Sequence, residues 1–408
     1  MLFLGMLVAR TSVSLQYQGI TLLGVSFGGR DILAAGDIGV LLALYTAFGL
    51  AASIASPLIV QRFGIAVPTR VALLMMAIGQ FAMLQSASLA WMIGCRALTG
   101  IGGSLVYVIT LEATARISNS RNLGVRMGLI AATWPLGNAL SLVIMPLLGA
   151  FAGLSVALSL PICTAITATV LLAWSSVESS RPVERAAPAN NATRSYLRSW
   201  GGTLQRTWPV GLCFALYNSA FVLFTSFSAQ LFLEHGHSTS NALQLASIPM
   251  WMFLISVPAG GLLSVFLRTH DSLLIVVGCL AAAVCFVLTW VEPMGVAWIV
   301  LAGLVGGIPT APMLALAVNR SQSDPGLTYG TMFATFFAFM LVLPPLVGRL
   351  ITSLGTTSLL VALVVQLGLP CCIIFLERRR NNMRSEIDVP HPSDECGKTC
   401  CNGGANFR

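Results

Sequence analysis

The sequence predicts an all-α membrane protein, with twelve transmembrane helices in two pseudo-symmetric six-helix bundles, and three observations carry that expectation. Of 408 residues, 56% are hydrophobic and only 9% charged, with a mean hydropathy of +0.85. That is more apolar surface than one soluble core can hide. The apolar residues gather into about twelve segments of roughly 20 residues, each enough to cross a hydrocarbon core of about 30 Å. Features also recur between the halves: Arg268 lies 206 residues after Arg62, Gly306 lies 204 after Gly102, and Pro344 lies 209 after Pro135. Weak internal symmetry of this kind is expected when two bundles surround a central site.

The pattern divides the chain into a first bundle over 1–176, a cytoplasmic linker over 177–206, a second bundle over 207–378, and a cytoplasmic tail without regular structure over 379–408. With the start placed inside the cell, 18 of the 22 basic residues fall on the inner side. Arg30 and Arg349 stay outside, and Arg10 and Arg96 lie within spans. The positive-inside bias therefore predicts a multi-pass protein of the plasma (inner) membrane with both termini cytoplasmic. The net charge of +8 reflects this orientation rather than nucleic-acid binding, because Lys398 is the single lysine and the arginines are scattered.

The first segment begins almost at Met1 and carries Arg10, unlike a cleaved signal peptide, and reads as a retained helix. Arg10, Ser14, Tyr17 and Thr21 fall on one helical face with Gln18 beside it, a polar stripe inside a membrane helix. Two readings of Arg10 compete: a side chain snorkelling from about 12 Å inside the membrane, or one lining a cavity. The shared polar face favours the cavity. Asp37 is placed to cap the second span, and Arg62, Gly64 and Arg70 form a short inner loop after it. The arginines there either meet neighbouring helix ends or only fix orientation.

The fourth segment holds Arg96 inside an apolar run, with Gly100, Gly103 and Tyr107 on its face. A charge in hydrocarbon costs about 2.5–3.5 kcal/mol even on the lenient insertion scale, so Arg96 must face protein or water. The glycines permit close helix approach, and Glu112 at the inner end is a candidate gate partner for Arg62 or another inner-loop arginine. The fifth segment repeats small residues at Gly124, Gly128 and Ala132, and then carries Trp134, Pro135, Gly137 and Asn138. Pro135 removes a backbone donor at mid-membrane, which marks either a rocking hinge or a packing kink. In the second half, Tyr217, Asn218 and Trp251 are the polar or amphipathic groups nearest the middle of their spans.

Of ten cysteines, seven sit in apolar spans as small hydrophobes, while Cys396, Cys400 and Cys401 lie with His391 in the tail. Their spacing suits a solvated tail better than a metal site. No nucleophile–base pairing or phosphate-cradling loop marks an enzyme, and no cofactor is expected.

These features resemble the major facilitator superfamily along essentially the whole chain. In QRFG, Arg62 and Gly64 match that family's inner-loop motif, while Gln61 stands in place of its aspartate and Pro57 in place of its leading glycine. RALTGIGGS is similar to the fourth-helix motif, with Arg96, Gly100 and Gly102 in place. The resemblance implies a role in proton coupling for Arg96. WPLGNA partly resembles the fifth-helix motif of exporters, with Trp134 replacing glycine and Gly137 shifted by one. More narrowly, ARTSVSLQYQG, DIGVLLALYTAFG, WPLG and LEHGHSTSNA are similar to bacterial carriers of the cyanate-permease type and their uncharacterised relatives.

The expectation that follows is a monomeric, lipid-embedded secondary carrier of a small solute, proton-linked and working by alternating access. Arg10, Gln16, Gln18, Tyr217, Asn218 and Trp251 are its expected substrate contacts. Arg96, Glu112, Arg62 and Gly64 are assigned to coupling and gating, and Gly100, Gly102, Gly103, Gly128, Trp134, Pro135, Gly137 and Asn138 to packing and hinging. Guanidinium groups grip carboxylates with paired hydrogen bonds, so a small organic or inorganic anion is favoured. The alternatives are an efflux carrier of drugs or metabolites and a non-transporting membrane sensor of the same fold.

Overall fold

The computed structural model describes residues 1–24, 33–85, 88–117, 123–174, 189–267, 271–291, 295–321 and 325–387, and every regular element among them is helical. The first bundle comprises α1 (Leu2–Gly19, continued by a 3-10 turn Ile20–Gly24), α2 (Ala35–Ala47), α3 (Gly49–Phe63), α4 (Ala66–Met83), α5 (Leu89–Ile117), α6 (Leu123–Ala152) and α7 (Leu154–Trp174). The second comprises α8 (Ala189–Glu234), α9 (Thr239–Phe266), α10 (Asp271–Val291), α11 (Val296–Gly306), α12 (Thr310–Ser321), α13 (Pro325–Leu354) and α14 (Thr357–Ile387). The short helices α2 and α3 make one span broken at Phe48, and α11 and α12 make another broken at Gly307–Pro309.

Among the described residues, eleven spans are long and apolar enough to cross a membrane. The twelfth is α1, whose Arg10, Ser12, Ser14, Gln16 and Gln18 dilute its hydropathy and are buried inside the molecule. The packing carries the two-fold pattern read from the repeat. Helix α1 packs on α6 and α7 as α8 packs on α13 and α14, and α4 packs on α5 and α7 as α10 packs on α11 and α14. The bundles meet along two seams, α2 and α3 against α13, and α6 against α9. In the first seam, beside the N-terminus of α2, backbones touch: a Cβ on Gly39 would overlap the Pro344 carbonyl, and one on Gly348 the Ala35 carbonyl.

Some local expectations need correction. Asp37 does not cap α2; the N-cap is Ala34, and Asp37 sits in the first turn, where its charge still complements the helix dipole. The polar run expected as a linker is helical from Ala189, continuous with the span that follows, and α14 runs on to Ile387 into the expected tail. Helix α6 passes through Pro135 and Pro146 without a break. Arg30, Arg268, His270, His391, Lys398, Cys396, Cys400 and Cys401 lie outside the described residues, as do the side chains of Pro57, Gln61 and Gly124.

Candidate functional site

Arg96 is fully buried in the first bundle and spends its guanidinium on backbone. Its Nη1 donates to the Gln16 carbonyl at 2.9 Å, Nη2 to Tyr17 at 3.2 Å and Nε to Leu41 at 3.3 Å. The first two acceptors are in the last turn of α1, where helical carbonyls run out of amide partners and α1 tightens into its 3-10 turn. A cation there also meets the negative end of the helix dipole. The ring of Tyr45 lies 4.6 Å from the guanidinium carbon and covers it. Gly100 and Gly103 create this proximity, since a Cβ on either would overlap Tyr45, and Gly102 does the same toward Ala72 of α4. The stripe expected for close approach is therefore present on two faces of α5.

Arg10 is 2% exposed and takes a different position. Its Nη1 donates to the Tyr107 carbonyl at 2.8 Å, and its guanidinium carbon stacks 3.8 Å from the Tyr107 ring centroid. That ring stands edge-on to Phe333 and Phe337 of α13, at 5.0 and 5.9 Å between centroids. Arg10 is thus one aromatic ring away from the second bundle. Arg10 forms no ion pair among the described residues, and its Nε lacks a hydrogen-bond partner. Above it, Tyr17 packs on Trp134 at 5.4 Å, and Trp134 on Tyr107 at 5.4 Å. Gln18 crosses the interface, its amide donating to the Thr225 carbonyl of α8 at 3.1 Å. The Tyr17 hydroxyl and Gln18 Oε1 also have no partner among the described residues. Each such buried, unsatisfied group costs about 1–3 kcal/mol.

The other expected residues divide. Gln16 points into the first bundle: its amide donates to Met76 O at 3.0 Å and Gln80 Oε1 at 3.2 Å, and its oxygen accepts from Tyr45 at 3.2 Å. Every polar group of the Gln16 amide is thus engaged within the first bundle. Asn138, fully buried, donates to Ser14 O and accepts from Trp134 Nε1, both at 3.2 Å, once its amide is turned to suit its neighbours. Gly137 lets α6 close on α1, because a Cβ would overlap the Ser14 hydroxyl. Gly128 does not share that role: a Cβ there would meet nothing within 4 Å, which corrects the expected four-residue stripe.

Tyr217 donates to the Gly306 carbonyl and lies 3.0 Å from the Thr310 hydroxyl, bracing the break between α11 and α12. Asn218 bonds back to Phe214 O of its own helix at 2.8 Å. Trp251 lines a groove of about 670 Å³ between α9 and Val143 of α6, which His237, Asn241 and Gln244 also line. Arg62 is exposed over the Phe63 ring and does not pair with Glu112, while Gly64 (φ +72°) terminates α3 in a conformation that favours glycine. Glu112 is buried on α5, 5% exposed.

Sequence reasoning missed groups that complete helix ends. Arg126, not Arg62, meets a neighbouring helix end, donating to Ile117 O of α5 at 2.9 Å. Arg206 does the same for Ser321 O of α12 at 3.4 Å, and Arg320 forms an ion pair with Glu377. It also missed Thr225, Phe333 and Phe337, which carry no polar side-chain signal toward α1.

Two six-helix bundles meeting at an interface that buries a guanidinium without a carboxylate partner have the build of a membrane carrier. Residues 2–326 match the Major Facilitator Superfamily, and the chain belongs to that family: it is a multi-pass secondary transporter. Among solved structures it is similar to a POT family transporter in complex with 5-aminolevulinic acid, with a TM-score of 0.71 and 13% identity over 92% of this chain and 94% of that one. At that identity the likeness shows the fold. No curated protein matches the sequence.

Proposed function

We propose that this transporter moves a small anion by alternating access, with Arg10 as the group that binds it. The observation that carries the reading is the position of Arg10, buried at 2% exposure beside the second bundle, with Nε unbonded and no ion pair among the described residues. A guanidinium held away from water is costly. An arriving carboxylate or similar oxyanion supplies the missing charge and accepts from Nε and its neighbours. Tyr17, Gln18 and Trp134 complete the pocket.

Proton linkage is assigned to Glu112. Arginine keeps its proton in proteins, so neither Arg10 nor Arg96 can carry one, and Glu112 is the carboxylate buried on the same helix as Tyr107. Arg96 holds α1 in place for the site. The carrier acts as a monomer in the inner membrane, both termini inside. The narrower likeness to cyanate-permease-type carriers belongs to this reading and does not name the solute.

Uptake of small anions into proteoliposomes tests the assignment. Arg10→Ala is expected to abolish uptake, and Arg10→Lys to weaken affinity by about tenfold or more, since an ammonium cannot present two parallel donors. Unchanged affinity in both variants removes Arg10 from the site. Glu112→Gln is expected to retain solute counterflow while uptake stops responding to an imposed pH gradient; an unaltered pH response places the proton elsewhere.

A further inference from the structure

The groove of about 670 Å³ at the α6–α9 seam takes a wall from each bundle: Val143 from α6, and the rest from α9 and the residues just before it. Its lining changes character along α9. His237, Asn241 and Gln244 flank the helix start, with both amide residues exposed, while Ile248 and Trp251 further along are half-buried and mainly apolar. Among the described residues no arginine, lysine or carboxylate lines it. A small anion or a lipophilic cation would find no counter-charge there.

The surface around the groove is the one that meets lipid. Gln244, Ile248, Trp251 and Ile255 follow at helical spacing on one face of α9, and Ile255 is 63% exposed. On α6, Val143 and Leu147 share a face, and Leu147 and Phe151 are exposed. Both helices are long and apolar enough to span the membrane, and apolar side chains bared on such a helix lie against acyl chains. Exposed amides on that face are costly unless hydrogen-bonded. They stand at the start of the α9 span, level with the membrane boundary, where phospholipids carry their ester and phosphate oxygens. Those oxygens only accept, and the NH2 groups of Asn241 and Gln244 donate.

We propose that this groove is a phospholipid site, with the glycerol-ester region of one lipid at Asn241 and Gln244 and an acyl chain laid along Ile248 and Trp251 against Val143. Because both bundles wall the groove, the bound lipid bridges them in this conformation. The proposal does not depend on Arg10 or on the transported solute.

Titrating the delipidated full chain in detergent with a phosphatidylcholine brominated at mid-chain tests it, the Trp251 signal being taken as the difference in fluorescence between wild type and Trp251→Phe. Quenching of that signal is expected to saturate at about one lipid per chain and to be reversed by unbrominated phosphatidylcholine. Val143→Phe, which fills the groove, is expected to raise the half-saturating concentration by about tenfold or more. Quenching that climbs with total lipid without saturating reduces the groove to ordinary lipid-facing surface and overturns the proposal. Quenching of Trp251 by aqueous iodide and not by the brominated lipid overturns it too, since the groove then holds water. An unaltered titration in a folded Val143→Phe protein does the same. Should that variant not fold, the saturation and iodide arms on the wild-type chain decide the matter.

Discussion

Arg10 and Arg96 are both membrane-embedded cations of the first bundle, and their partners give them different work. Arg96 ends its three hydrogen bonds on backbone carbonyls of α1 and α2, whereas Arg10 makes one such bond and keeps Nε free. Arg96→Ala is predicted to lower the stability of the purified protein by more than about 3 kcal/mol, because it strips charge-assisted bonds from buried carbonyls. Arg96→Lys should recover little, since a point charge cannot reach three diverging acceptors. Thermal unfolding of both variants measures this, and a wild-type midpoint for either removes the capping role. The sequence marked both arginines as buried because hydrocarbon tolerates no lone charge. It could not separate them, since Arg96's acceptors are main-chain atoms that every residue type carries. Gln16 and Gln18 were equally legible as polar and equally ambiguous: two positions apart, one faces Met76 and Gln80 and the other Thr225.

Helices were the most readable level, because long apolar runs in a membrane have few other options. The breaks were not. Phe48 and Gly307–Pro309 interrupt spans whose hydropathy is continuous, while Pro135, the stronger local signal, lies in an unbroken helix. Packing around each site decides this, and the local composition does not record it. Glycine spacing was similarly half-informative. Gly100 and Gly102 lie against Tyr45 and Ala72 backbone, yet Gly128 faces open space at the same kind of spacing. Gly100→Ala and Gly102→Ala are therefore predicted to destabilise by about 1–3 kcal/mol each through overpacking, and Gly128→Ala to change stability by less than about 0.5 kcal/mol. Equal thermal shifts across the three variants would contradict the assigned helix contacts.

At the scale of the whole molecule, the repeat read from Arg62, Gly102 and Pro135 reappears as matched helix pairings in the two bundles. What the sequence could not supply is how the bundles meet, because the meeting surfaces are apolar residues and backbone. In this conformation the interface is shut beside the N-terminus of α2: Gly39 lies on Pro344, Gly348 on Ala35, and Gln18 bonds Thr225. Interfaces of this kind switch between packed arrangements, with hinges absorbing the change, and the proposed mechanism assigns that part to the breaks at Phe48 and Gly307–Pro309. The proposed alternating access requires these contacts to part, which a non-transporting sensor sealed in one state would not need. Pulsed electron–electron resonance between spin labels at Ala34 and Ser353, exposed at the N-terminus of α2 and near the C-terminus of α13, measures it directly on a background lacking the ten native cysteines. The account predicts two distance populations, the longer one changing with added anion or pH. One short, unchanging distance under every condition would contradict it.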